Sequence, residues 1–178
     1  MVEEKEELVQ SIIDGGADLT ALDDVDLSEV NLCETKIDLE DAHLRGANFS
    51  DSNLENVNLK GANLCRTNFW GANLCGADLE GARIQGANFR FACLKGANLR
   101  GANLEGADFK MVNAQGANFT DANLMCANFI GADLTNASLP MTRIEGIKLM
   151  GAVFTGATLF YGGKKVCKFS IIGRDIIL

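Results

Sequence analysis

The sequence predicts an all-β solenoid: a rod of four-sided coils with 20 residues to the turn. Three observations carry that prediction. Large apolar residues recur every five positions from Leu39 to Leu159, in 25 units whose centres are 15 Leu, 7 Phe, 2 Ile and the single Ala114. The residue two before the centre is Ala in 18 of these units. Phe occupies centres 49, 69, 89, 109 and 129, a series with a step of 20. A helix cannot hold this pattern on one face, because a five-residue step advances about 500° around its axis. Short extended sides can. The centre and the residue two before it then point inward, and the polar residue between them points out. A step of 20 makes four sides per turn and stacks Phe49, Phe69, Phe89, Phe109 and Phe129 into one structural column. With coils about 4.8 Å apart, the rod is about 35 Å long, and each repeat touches only its neighbours.

The elements follow in order. Residues 1–16 read as a capping helix of about ten residues. Leu8, Val9, Ile12 and Ile13 share one side of it, Glu3, Glu4, Glu6 and Glu7 favour its N-terminal end, and Gly15-Gly16 stops it. A solenoid end exposes unpaired backbone, which such a helix hides. Residues 17–38 form an irregular first coil: Val25/Leu27, Val30/Leu32 and Thr35/Ile37 are in step with one another, but Leu39 comes seven after Leu32. An insertion of two or three residues predicts a bulge there rather than a binding loop. Residues 39–160 are the regular coil. Within it, Ala114 sits beside the enlarged Val112 and next to Phe119, a trade of volume that a close-packed interior demands. Glu40, Lys60, Glu80 and Arg100 line up outward as a ladder of alternating charge. Residues 161–178 break the pattern, since Lys164 falls where a buried centre belongs. This apolar tail is a hairpin cap, a dimerisation segment carrying Phe169, Ile171, Ile172, Ile176 and Ile177, or the stump of a longer chain.

Units such as Gly-Ala-Asn-Leu-Arg (96–100) and Gly-Ala-Asp-Leu-Glu (76–80) resemble the A(D/N)LXX pattern of the pentapeptide-repeat family. The resemblance is strict over residues 37–160 and loose from 17. It implies a right-handed quadrilateral β-helix. The family is functionally diverse, so its name says little about mechanism. Some members bind DNA gyrase, and in those a C-terminal segment makes the dimer, which here implies a homodimer through the C-terminal end.

Composition narrows the chemistry. The chain has 178 residues, a net charge of −8 and one histidine, His43. It reads as one domain with little material for acid–base catalysis. No run of about 18 apolar residues is present, so no membrane span is expected. The acidic start lacks the basic and apolar parts of a secretory signal, which predicts a cytoplasmic protein without a lipid anchor at this end. The cysteines stand at 33, 65, 75, 93, 126 and 167, with no C-x-x-C pair and no pair 20 apart. Free thiols are expected, with neither metal nor cofactor. Asp78, Asp108 and Asp133 occupy the repeat's outward Asn/Asp slot, and a packed coil offers no cleft for a catalytic carboxylate pair, so no catalytic residue is expected.

Charge divides the chain. Residues 1–56 carry 16 acidic and 3 basic side chains, whereas residues 57–178 carry 8 acidic and 13 basic. A DNA mimic directed at gyrase, the alternative function the resemblance implies, needs negative charge along most of its length, since duplex DNA carries about one charge per 1.7 Å. The rod beyond its first coils is instead mildly basic. Direct nucleic-acid binding is not expected either, because Arg66, Arg83, Arg90, Lys95, Arg100 and Lys110 spread over several faces.

One side stands out. Its outward positions read Trp70, Arg90, Lys110, Ile130 and Met150, and its corner carries Phe91 and Met111 where Gly is usual. Trp70 and Arg90, one coil apart, are placed for a cation–π pair. A contiguous apolar patch also marks a partner site. The sequence therefore predicts a non-enzymatic scaffold that binds a protein through Trp70, Arg90, Phe91, Met111, Ile130 and Met150. A repeat domain of a larger chain is the third reading.

Overall fold

The residue just before the centre on each side of the coil pairs in parallel with the residue 20 positions later, from Asp38 with Asn58 to Asp133 with Val153. The computed structural model describes residues 2–33, 37–161, 164–166, 170–172 and 175–177. The chain is a right-handed quadrilateral β-helix preceded by one helix, α1 (Val2–Ile13).

Backbone accounting explains the five-residue unit. Around Leu59, the centre donates its N–H to Asp78 O one coil on (2.7 Å), and the corner Gly61 donates to Glu80 O (2.9 Å). Ala62 turns the corner by donating to Leu59 O (3.2 Å), and Asn63 donates back to Ala42 O (2.9 Å). Four of five amides are thus met by backbone. The fifth, on Lys60, donates to Asn58 Oδ1 at 3.1 Å. The recurring Asn or Asp therefore completes the hydrogen bonding of its own unit. In the unit 137–141 the two requirements vanish together: Ser138 replaces Asn, and Pro140 has no N–H to satisfy.

The interior is a filled tube. Phe49, Phe69, Phe89, Phe109 and Phe129 are fully buried and stacked, with centroid separations from 4.5 to 5.5 Å. Phe119 meets Phe109 and Phe129 edge-on, at 6.3 and 5.8 Å. It follows the small centre Ala114 on the next side of the coil, both fully buried. The buried hydroxyls at partner positions are satisfied: Ser52 donates to Leu27 O (2.7 Å) and Thr67 to Leu44 O (2.8 Å). The charge ladder forms on the surface from Lys60 to Arg100, whereas Glu40 accepts from Asn58 Nδ2 instead of pairing with Lys60. Glu80 lies 3.9 Å from Lys60 and 3.5 Å from Arg100, which also meets Asp121 at 3.8 Å. Exposed pairs of this kind contribute about 0–1 kcal/mol each.

At the N-terminal end, Ile12 enters the core, and Leu8, Val9 and Ile13 pack against it. Lys5 Nζ donates to the carbonyl and hydroxyl of Ser28, tying α1 to the first coil. Gly16 and Ala17 close the helix on Ser11 O. The first coil pairs with an offset of 22 at Asp26–Asn48 and Asn31–Asn53, which falls to 20 at Asp38–Asn58. Two extra residues therefore lie between Asn31 and Asp38. Thr35 is outside the described residues. Ile37 does not head a unit of its own. It is the buried partner of Leu39 on either side of Asp38, because the pairing of Asp38 places both side chains inward.

At the other end β1 (Ser138–Leu139) pairs in parallel with β2 (Thr158–Tyr161), which turns back onto β3 (Lys164–Val166). Lys164 thus stands opposite Tyr161 in a hairpin rather than at a coil centre. A second hairpin joins β4 (Ser170–Ile172) to β5 (Asp175–Ile177), with Ile171 opposite Ile176 and Ile172 opposite Asp175. Phe169 lies outside the described residues.

The cysteine expectation is corrected. Cys75 and Cys93 form a disulfide, with their Cα atoms 5.6 Å apart. Neither C-x-x-C spacing nor a step of 20 reveals it, because the pair runs diagonally across two coils with a separation of 18. The same diagonal brings Asn58 to Glu40, Asn73 to Glu55, Asn98 to Glu80 and Gln115 to Asp133. It joins outward side chains that flank two centres from opposite sides. Cys33, Cys65 and Cys126 are free thiols, and Cys167 is outside the described residues.

Candidate functional site

The side that begins with the Phe column holds its outward residues on a fully bonded frame. Trp70, Arg90, Lys110 and Ile130 each donate their N–H to the Asn or Asp two before, at 3.1 to 3.3 Å. Those amides are themselves linked from coil to coil, Asn68 to Asn48 at 2.9 Å and Asn88 to Asn68 at 2.8 Å. Corner residues donate across coils: Phe91 N to Lys110 O (3.1 Å) and Met111 N to Ile130 O (3.0 Å). The backbone beneath these residues is hydrogen-bonded from coil to coil, and the exposed side chains differ from one coil to the next.

Phe91 and Met111 occupy corners with φ of 61° and 59°. This left-handed region suits Gly and costs an ordinary side chain about 1–2 kcal/mol. Two large apolar residues are held there and remain half exposed, at 50% and 54%. Trp70 is 42% exposed and meets the Phe91 ring edge-on at 6.0 Å. Met111 lays its sulfur over the space a Cβ on Gly131 would fill, so a side chain at that neighbouring corner would have to displace the methionine.

Trp70, Arg90 and Phe91 are brought into contact, but not as the sequence suggested. The Arg90 guanidinium sits 5.9 Å from the Phe91 centroid. The left-handed corner swings the Phe91 ring between Arg90 and Trp70, which replaces the expected Trp70–Arg90 pair with a three-residue cluster. Ile130 is half-buried, whereas Met150 is exposed at the far end of the same column. Two exposed hydrophobics outside this side went unnoticed in the sequence: Met141, a left-handed corner on the ladder side, and Val153, in an outward Asn/Asp slot. Each replaces Gly or Asn in its column, which was the available signal.

The expectation of a coil without clefts is also corrected. A hollow of about 560 Å³ separates α1 from the first coil, between Lys5, Val9, Ser28 and Asn31. A second, of about 270 Å³, lies on the coil wall between Arg45, Asn63, Cys65, Arg66, Arg83 and Gln85. Among the described residues no group of His, Cys, Asp and Glu is placed to hold a metal ion, and no helix is long and apolar enough to cross a membrane. Three carboxylates are held below their ordinary value of 3.8 by hydrogen bonds. They are Asp133 through Gln115 and Thr135, Asp18 through Thr20, and Asp26 through Ser28. All three serve the repeat's outward bonding.

The family model for pentapeptide repeats matches in eight copies, over residues 21–61, 35–71, 62–101 and 102–139. Among solved structures, the chain is similar to QnrB1, a plasmid-mediated fluoroquinolone resistance protein, at 20% identity over 76% of this chain and 70% of that one (TM-score 0.43). It is similar to HetL, a pentapeptide repeat protein involved in heterocyst differentiation regulation from the cyanobacterium Nostoc sp. strain PCC 7120. The identity is 26% over 75% of this chain and 76% of that one (TM-score 0.27). It is also similar to a pentapeptide repeat protein from the Arabidopsis thaliana thylakoid lumen, at 26% identity over 68% and 72% (TM-score 0.25). No curated protein sequence matches the chain.

Proposed function

The chain belongs to the pentapeptide-repeat family, and on that premise we propose that it is a non-catalytic scaffold that binds a protein partner through the Trp70–Met150 side. The observation that carries this reading is the pair of half-exposed apolar residues, Phe91 and Met111, at left-handed corners where Gly would be cheaper. Strain of this kind is retained where the surface is used. With Trp70, Ile130 and Met150 they make an apolar strip, and Arg90 and Lys110 supply charge beside it, the composition of a contact centre. The rod contributes rigidity, so little ordering is needed on binding. Duplex mimicry fits less well, because the charge past residue 57 is net positive. The test is affinity capture from the native host with the wild-type chain and a Trp70→Ser/Phe91→Ser variant. A partner retained by the first and lost by the second supports the scaffold. Identical partner sets would sink it.

A second reading rests on β4 and β5. A two-stranded sheet is marginal by itself, and its free edges favour pairing with a second copy of the chain. A mass in solution that stays at one chain at high concentration would remove it.

A further inference from the structure

The hollow between Arg45, Arg66 and Arg83 lies on a different side from the apolar strip. Three arginines from neighbouring coils line it, and among the described residues none forms an ion pair with a carboxylate. Asp23 Oδ1 is engaged by the Arg45 backbone N–H at 2.8 Å, and the Asp24 carboxylate sits at the Gly46 corner. Each of two arginines displaces a residue the repeat prefers. Arg66 stands at a left-handed corner, φ 62°, where Gly46, Gly86 and Gly106 occupy the same column. Arg83 replaces the outward Asn between Asn63 and Asn103.

That second exchange leaves donors without acceptors. An Asn at 83 would accept the Gln85 N–H, as Asn63 accepts that of Cys65 at 3.4 Å, but a guanidinium cannot. Asn63 Oδ1 is used in this way, and its Nδ2 finds no acceptor among the described residues because His43, rather than an Asn, stands 20 positions before it. Gln85 Oε1 accepts from the Cys65 thiol at 3.1 Å, which leaves Gln85 Nε2 as a further free donor. The wall therefore presents three cationic forks and two amide N–H₂ groups, and no side-chain oxygen that is not already accepting a hydrogen bond.

We propose that this hollow is an oxyanion site that takes a phosphate group, either free or as a small phosphate ester. Phosphate suits it because a tetrahedral dianion can accept from several guanidinium forks at once, where a carboxylate fills one. A bound dianion also cancels most of the mutual repulsion of Arg45, Arg66 and Arg83.

The test is calorimetric titration of the full chain at constant ionic strength, with inorganic phosphate, adenosine monophosphate and chloride as the three probes. Two variants restore the repeat's own residues and are expected to fold at least as well as wild type: Arg83→Asn rebuilds the Asn column, and Arg66→Gly relieves the corner. The expected result is saturable binding of one phosphate or monophosphate per chain, absent for chloride and weakened about tenfold or more in each variant. Tighter binding of the monophosphate assigns the site to an ester. Equal or weaker binding assigns it to the free anion. No saturable binding, an equal response to chloride, or undiminished affinity in both variants would overturn the proposal.

Discussion

Cys75 and Cys93 are covalently joined across two neighbouring coils, 18 residues apart, on the outward face that carries the repeat's Asn side chains. The bond replaces one rung of the diagonal that elsewhere joins Asn to Glu. Closing a loop of this length stabilises the fold by about 3 kcal/mol in the chain-entropy account. Reductant should therefore lower the unfolding temperature of the wild type, and Cys75→Ser should match the reduced protein. Cys93→Asn should recover part of the loss by returning an acceptor for Lys95 N. Calorimetry with and without reductant checks this, and coincident traces would contradict it.

Ala114 and Phe119 share the volume of one layer. Ala114→Leu alone overpacks the tube, at a cost of about 1–3 kcal/mol. Phe119→Leu alone removes two edge contacts with Phe109 and Phe129 and leaves a cavity. The double variant should be more stable than the sum of the two effects predicts, by at least about 0.5 kcal/mol. Denaturant midpoints for the four proteins give the coupling, and strict additivity would deny the exchange.

Met111→Gly should raise stability by about 1 kcal/mol, because it returns a left-handed corner to the residue that suits it. Phe91→Gly gains the same relief but loses the edge contact with Trp70, a term of about 0.5–1.5 kcal/mol, so its net change should be near zero. Thermal unfolding separates the two. A large loss in either would mean that these side chains are structural rather than held for a partner.

Asp133 accepts from Gln115 Nε2 at 2.6 Å and from Thr135 N at 2.9 Å, which keeps its carboxyl below 3.8 in the folded chain. A group with a depressed folded value contributes stability above its unfolded value and loses it as pH falls through the folded one. Stability should therefore drop below about pH 4, and Asp133→Asn should flatten that part of the profile. Unfolding midpoints between pH 2 and 6 would show it, and parallel curves would exclude the contribution.

Much of the fold was legible because the repeat is a local code. The stacking of Phe69 on Phe89, the burial of Ala72 and the ladder from Lys60 to Arg100 follow from counting by five and by 20, since each coil lies directly over the last. Ile37 was misread because two inserted residues shift the phase, and only the pairing of Asp38 with Asn58 shows where the shift ends. Contacts between outward side chains were less legible. Their partners depend on the direction each residue takes from its corner, as Arg90 shows by resting on Phe91 instead of Trp70.

The sequence by itself determined the coil, its four sides and, from Leu39 onward, its register and inward columns, because a five-residue period of large and small apolar residues admits one way of burying both. Tertiary structure alone decided which surface groups meet off the 20-residue columns. The diagonal that bonds Cys75 to Cys93 and the donor-lined hollow between Arg45, Arg66 and Arg83 arise from side chains leaning across coils. That lean is set by left-handed corners and by the occupant of each Asn slot, neither of which a count along the chain records.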